Sequence, residues 1–282
     1  MKIKLAFSSC PNDTYMFAAI ANKNINLHGI DFDIHIADIE ELNKMCIAGE
    51  NDVSKISISA FSKIWDSYKI LKSGCAIGDD NGPLVISKSK IYPDELQYAK
   101  IAIPGFNTTA NMLLDIIYPG IKQKFEYLFS DIIEAVISNE TDAGLIIHET
   151  RFTYEKKGLR KVADLGQEWK SRTGLLIPLG AIAIKDSLPA DIKNTISNIL
   201  YNSILFAIEN PVINYDFIKN LSNEKSDEII YKHIQLYVND LSIELDYTGK
   251  KSIEMFYQNA YKNKLTSQPP KNIFWECELV KD

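Results

Sequence analysis

His148 closes the apolar run Gly144-Leu145-Ile146-Ile147, at the point where a buried strand should end and a loop begin. An unperturbed imidazole has a pKa of about 6.5, so a histidine there suits a general base at cellular pH. A hydrogen-bonded structural histidine would fit the same place. Glu149 and Arg151 follow it. They suit orienting the ring or binding an acidic substrate, and equally suit an exposed surface. Thr108-Thr109, just after Pro104-Gly105, offer hydroxyls and first-turn amides at a helix start, where the dipole and unpaired N–H groups bind carboxylates. The same pair is also an ordinary N-cap. Lys55, between Ser54 and Ser57, sits in a segment that reads as buried strand. A cation there is costly unless it is paired or faces a ligand; the alternative is an edge strand with Lys55 on the wet side. Cys10 lies in a polar loop, but a nucleophilic thiol needs a base directed at it, and the sequence displays none.

Other residues are less informative. His28 and His35 flank a strand containing Asp31 and Asp33, at a spacing that suggests no metal site, and His233 falls in a helical run, where the wet face is expected. Trp65, Trp169 and Trp275 read as core or interface aromatics. No glycine-rich phosphate cradle is present, so a nucleotide cofactor has no support.

Strands, loops and helices alternate around these residues. Lys2–Phe7 alternates polar and apolar side chains as a half-buried strand does; the loop 8–13 follows, with Asp13 or Thr14 capping a helix over 15–21. Asp31–Ile36 is a second strand, 39–48 a helix stopped by Gly49, and 52–58 a third strand. The rhythm restarts with a strand over 101–103, a helix from Thr108 or Thr109 to Ile117, a strand over 125–129, a helix over 131–138 and an apolar strand over 144–147. Segments 82–86 and 175–184 read as crossing strands between the two units, and helices are expected over 192–208, 224–238 and 248–259. The fold class is therefore α/β: two α/β lobes joined by two crossover strands, with a helical C-terminal region. The first lobe is expected to span 1–87 and 184–282, the second 88–183. Ligands of such sheets bind beyond the carboxyl ends of the strands, which directs attention to the loops 8–13, 54–59, 104–109 and 148–151.

Composition narrows the function. The 282 residues carry 31 Lys+Arg against 37 Asp+Glu, a formal charge of −6, which disfavours binding to a phosphate backbone. With 46% hydrophobic and 24% charged residues the chain is an ordinary globular one. Cys10, Cys46, Cys75 and Cys277 lie far apart and read as free thiols of a reducing cytosol. The N-terminus has no apolar stretch of the ~7–15 residues an export signal needs. The longest uncharged apolar stretch, 174–184, is broken by Pro178 and Gly180 and falls short of the ~20 residues of a spanning helix. A soluble cytoplasmic protein with neither nucleic-acid nor membrane partners is expected; the oligomeric state is left open.

Eight strings, in order and in register, carry a resemblance. They are Ser9-Cys10-Pro11-Asn12-Asp13-Thr14, Ala37-Asp38-Ile39-Glu40-Glu41-Leu42-Asn43, Asp52-Val53-Ser54-Lys55-Ile56-Ser57, Gly82-Pro83-Leu84-Val85, Ile101-Ala102-Ile103-Pro104-Gly105, Thr108-Thr109-Ala110-Asn111, His148-Glu149-Thr150-Arg151-Phe152-Thr153-Tyr154 and Pro178-Leu179-Gly180. Together they closely resemble the 1,4-dihydroxy-6-naphthoate synthases of the futalosine route to menaquinone, over residues 3–185 and more loosely in the helical tail. The resemblance implies the type II periplasmic-binding-protein fold used as a cytoplasmic enzyme. It implies a carbon–carbon lyase that cleaves cyclic dehypoxanthinyl futalosine without metal or redox cofactor. It also implies His148 as proton acceptor and substrate contacts at Lys55, Ile56, Ser57, Thr109 and Ala110, to which Asn12, Thr108 and Arg151 are added as candidates. Ser9 departs from the family, where Pro is common. Two other readings share the fold: a non-catalytic solute-binding protein and a chorismate dehydratase-like enzyme. The first is normally exported and needs no histidine base. The His148-Glu149 segment and the Cys10–Asp13 loop point away from the second.

Overall fold

A computed structural model of the chain describes residues 1–79 and 82–281. The first unit runs β1 (Lys2–Phe7), α1 (Pro11–Ala21), β2 (Asp31–Ile36), α2 (Ile39–Ile47), β3 (Val53–Ser57), α3 (Ile58–Phe61), β4 (Tyr68–Ile70) and β5 (Ala76–Gly78). Helix α1 begins earlier than the cap chemistry of Asp13 suggests. Pro11 occupies its first turn, where its fixed φ suits a helix and its missing N–H costs nothing, so Cys10 is the N-cap and Asn12 and Asp13 lie inside the helix. The second unit is β6 (Leu84–Ser87), β7 (Lys100–Ile103), α4 (Thr109–Ile117), β8 (Gln123–Glu126), α5 (Ile132–Ile137), β9 (Ala143–Ile146), β10 (Arg160–Asp164) and α6 (Leu165–Thr173). Then come β11 (Ile177–Lys185) and the helices α7 (Ala190–Glu209), α8 (Tyr215–Leu221), α9 (Asp227–Tyr237), α10 (Asp240–Ile243) and α11 (Tyr247–Lys262).

The strands form two sheets. The first has the order β2-β1-β3-β11-β4, with β5 also paired to β11; the second has the order β10-β6-β9-β7-β8. β1 lies parallel to β2 and β3, and β7 parallel to β8 and β9, as strand–helix–strand units require. β11 runs antiparallel to β3, with Lys55 opposite Ile182 and Ser57 opposite Gly180. The segments expected to cross between the lobes are complete strands of one sheet each. β6 pairs antiparallel with β9 in the second sheet, and β11 lies in the first. Sheet membership therefore changes between Gly78 and Leu84 and again between Asp164 and Ile177. These points differ from expected boundaries after residues 87 and 183, because an apolar strand carries no local mark of which sheet it will join.

Packing locks β1 onto the C-terminal helices. Ile3, Leu5 and Phe7 of β1 meet Met16 and Phe17 of α1 and Ile196, Ile199, Leu200 and Ile204 of α7, whose spacing is that of one helical face. The Phe7 and Phe17 rings stack at 4.6 Å and 9°. Burying each such side chain stabilises the fold by roughly 1.5–3 kcal/mol. Helix α9 packs against α1 and also against the turn 148–152 that follows β9, so the C-terminal region touches both sheets at the cleft. No helix among the described residues is long and apolar enough to cross a membrane.

Candidate active site

The carboxyl ends of β1, β3, β7 and β9 converge on a cleft with an empty volume of about 660 Å³. Each of the four loops singled out by topology contributes to its walls: Ser8, Asn12 and Asp13; Lys55, Ile56 and Ser57; Pro104, Thr108, Thr109 and Ala110; and His148. Phe129, Leu179, Gly180 and Tyr237 are among the residues that complete it.

The wall from the first sheet is a hydrogen-bonded polar network. The Lys55 ammonium lies 2.8 Å from Asp13 Oδ1, with side chains only 5% and 3% exposed, so the two charges neutralise each other out of water. Asp13 Oδ2 accepts from Ser8 Oγ at 2.6 Å, and Oδ1 also accepts from Asn12 Nδ2 at 2.9 Å. The Asn12 amide is thereby oriented with Oδ1 towards His233 Nε2, 2.9 Å away, and that nitrogen must be the protonated one. Asn43, fully buried on α2, accepts from Ser57 N at 2.9 Å. Its Nδ2 then donates to Ser57 Oγ at 3.0 Å, which leaves the Ser57 hydroxyl proton for another acceptor. Gly180 relieves crowding here, since a Cβ would come within 3.1 Å of both Lys55 Cε and the Ile56 carbonyl oxygen, tighter than an ordinary contact.

The wall from the second sheet supplies His148 and a helix start. His148 has φ +61°, a left-handed conformation uncommon for a side-chain-bearing residue, at the first position of the turn after β9. Its ring meets the edge of Phe129 (4.9 Å, 84°) and stacks nearly parallel on His233 (5.5 Å, 8°). Cys10 Sγ is 3.9 Å from His148 Nε2, so the thiol does have an imidazole beside it, contributed by the other sheet. Thr108 caps α4, accepting from Asn111 N, and donates its own proton to Gly105 O. The Thr109 hydroxyl accepts from Ser59 N (3.2 Å) and donates to Leu179 O (2.6 Å), pinning α4 to the first sheet. With both hydroxyls engaged, what this terminus offers a ligand is the first-turn amides of Thr109 and Ala110, which have no partner inside the helix. Glu40, on α2 beside the cleft, accepts from Asn107 N and Nδ2 in the second lobe. Burial pushes its carboxyl above the usual range, against the hydrogen bonds from Asn43 and Asn107. Gly105, at φ +145°, leaves no room for a Cβ against the Glu40 side chain.

Most candidates gather here, with three differences. Arg151 is not among the lining residues; its Nη1 donates to Gly82 O at 3.0 Å and its Nη2 lies 3.8 Å from Asp164, so it braces the connection into the second sheet. Lys55 is on a central strand and already paired, so it is neither a wet edge residue nor an uncompensated cation. His233 is completely buried rather than on a wet face. Its register announces this: Ile230, His233, Ile234 and Tyr237 follow one apolar stripe of α9. The Glu149 side chain lies outside what is described. Sequence reading missed Asp13 as the partner of Lys55, Glu40 as a link between lobes, and Phe129 and Tyr237 as lining residues. Among the described residues no group of three or more His, Cys, Asp or Glu could hold a metal ion.

A menaquinone biosynthesis family model matches residues 3–262. A protein of Thermus thermophilus named 1,4-dihydroxy-6-naphtoate synthase is 33% identical over 272 residues, 96% of this chain and 98% of that one. A crystal structure of an Archaeoglobus fulgidus protein superposes with a TM-score of 0.89 at 33% identity, over 94% of this chain and 98% of the other. An alkanesulfonate-binding protein of Xanthomonas axonopodis pv. citri, at 9% identity, has a TM-score of 0.72 over 98% of both chains; that likeness shows the fold alone, a two-lobed solute-binding fold.

Proposed function

We propose that this chain, which belongs to the menaquinone biosynthesis family, is a 1,4-dihydroxy-6-naphthoate synthase acting in the cytoplasm, a lyase that cleaves a carbon–carbon bond of cyclic dehypoxanthinyl futalosine. The observation that carries the reading is His148 at the carboxyl end of β9, lining a cleft between two sheets beside a row of hydrogen-bond donors.

The substrate is a fused-ring ketone attached to a sugar remnant. His148 takes the proton of a hydroxyl on the sugar-derived fragment, β to the ring ketone. That O–H electron pair forms the carbonyl of the departing fragment, the carbon–carbon bond breaks, and its electron pair passes onto the ring ketone as an enolate. Protonation of the enolate oxygen and loss of the remaining ring C–H proton leave the ring system aromatic as a dihydroxynaphthalene. A positioned base contributes about 10²–10⁴-fold to such a step. The Ser57 hydroxyl and the amides of Thr109 and Ala110 suit the developing oxyanion and the carboxylate. Lys55 serves differently: paired with Asp13, it fixes the polar wall and offers its remaining donors to the ligand. Thr108 and Asn12 act through their neighbours, one by capping α4 and the other by orienting His233.

Incubating the purified protein with cyclic dehypoxanthinyl futalosine and following the fluorescent naphthol product tests the reading. Product formation is expected without added metal or redox cofactor. Substrate that binds and is recovered unchanged would leave a solute-binding protein instead.

A further inference from the structure

Two imidazoles stand face to face in this protein, and the proposed chemistry uses only one. His233 is 0% exposed and absent from the cleft lining, so it is out of reach of the substrate, yet its ring lies 5.5 Å from that of His148 and 8° from parallel. It is held from behind by an unbroken chain: Nε2 donates to Asn12 Oδ1, Asn12 Nδ2 donates to Asp13 Oδ1, and Asp13 is fixed by Lys55 and Ser8. Asn12, Asp13 and Ser8 belong to the first βα loop and helix, whereas His148 follows β9 of the second sheet.

We infer that His233 is a positioning residue for His148: it transmits the fixed geometry of the first-lobe network to the base by presenting a flat, immobile ring on which the His148 imidazole docks when the lobes meet. The inference rests on the proposed function. Its physical content is orientational. His148 starts a turn from a left-handed backbone and its side chain is half-buried, so the backbone alone does not fix the ring plane. Stacking on His233 sets that plane, and the Phe129 edge limits rotation within it. A base tilted or displaced by about 1 Å can lose on the order of 10²-fold in rate while substrate binding is unaffected.

Three variants separate this role from simple structural filling. His233→Gln keeps a donor for Asn12 Oδ1 but removes the ring; it should fold, and its kcat should fall roughly 10²-fold with KM changed less than about 3-fold. His233→Phe keeps a ring face but leaves Asn12 Oδ1 without its donor; it should melt at a lower temperature and yet retain more kcat than His233→Gln. The reverse order, with His233→Gln as fast as wild type and His233→Phe slow, would overturn the inference, as would a loss confined to KM. If neither variant folds, ring-to-ring nuclear Overhauser contacts between His148 and His233 in the histidine-labelled wild-type protein with product bound decide the matter. Contacts present support the stack, and contacts absent contradict it. His148→Asn is the control that keeps the two levels apart. Inactive wild type, or an active His148→Asn, refutes the functional reading itself; an inactive His148→Asn beside an unimpaired His233→Gln refutes only the docking role.

Discussion

The two walls of the cleft solve opposite problems. The wall from the first sheet is polar and buried, with Lys55, Asp13, Asn12 and Ser8 bonded in one group and Asn43 and Ser57 in another before any ligand arrives. The wall from the second sheet contributes few side-chain hydrogen bonds to the cleft. It brings a helix terminus and one imidazole, aimed by ring contacts. The side chains of one wall are thus held by one another, and the other wall is joined to it by contacts that include His233 on His148, Cys10 beside His148, Thr109 on Leu179 and Asn107 on Glu40. Chemistry that requires a placed base gains from that division, because the contacts that join the walls also orient the base.

The contrast makes graded predictions. Asp13→Ala strands a buried ammonium in the polar wall and should destabilise the protein by about 3–5 kcal/mol in chemical denaturation; a loss below about 1 kcal/mol would mean that water already solvates Lys55. Thr109→Val removes the hydroxyl that joins the walls, and should cost roughly 1–3 kcal/mol through the Ser59 amide and Leu179 carbonyl left without it. Stability unchanged by that substitution would show that the Thr109 hydroxyl adds nothing net to the joint between the walls. Ser57→Ala leaves the fold and removes one donor from the cleft, so kcat/KM should drop roughly tenfold, equivalent to about one hydrogen bond. An unaltered kcat/KM would remove Ser57 from the site.

The smallest effect concerns pH at the link between walls. The Glu40 carboxyl is held above its usual 4.5 by burial, so the folded state binds its proton more tightly than the unfolded chain does. The stability from that proton is fully present below the ordinary value and is lost as pH rises through the raised one. Wild type should therefore gain stability relative to Glu40→Gln as pH falls from 7 towards 4.5. Parallel melting temperatures across that interval would contradict the assignment.

What could be read from the sequence was local. Alternation in β1 and β2, the Thr108 cap and the position of His148 at a strand end each follow from neighbours within a few residues, and each points to the right loop. Partners distant in sequence could not be read. Lys55 is neutralised by a residue 42 positions earlier, and His148 is stacked on a ring from a C-terminal helix. The assignment of β6 and β11 to their sheets depends on pairing, which their apolar composition does not specify. His233 is the instructive case: its place in the Ile230–Tyr237 stripe marks it as buried although its polar side chain suggests a wet face.

The central claim is that one imidazole from the second wall removes a proton from a ligand held by the first. Single-turnover cleavage of cyclic dehypoxanthinyl futalosine by wild type and by folded His148→Asn, compared at saturating substrate, tests it most directly. The account predicts unchanged binding and a naphthoate-forming step slowed by about 10²–10⁴-fold in the variant; product released at the wild-type rate would contradict it.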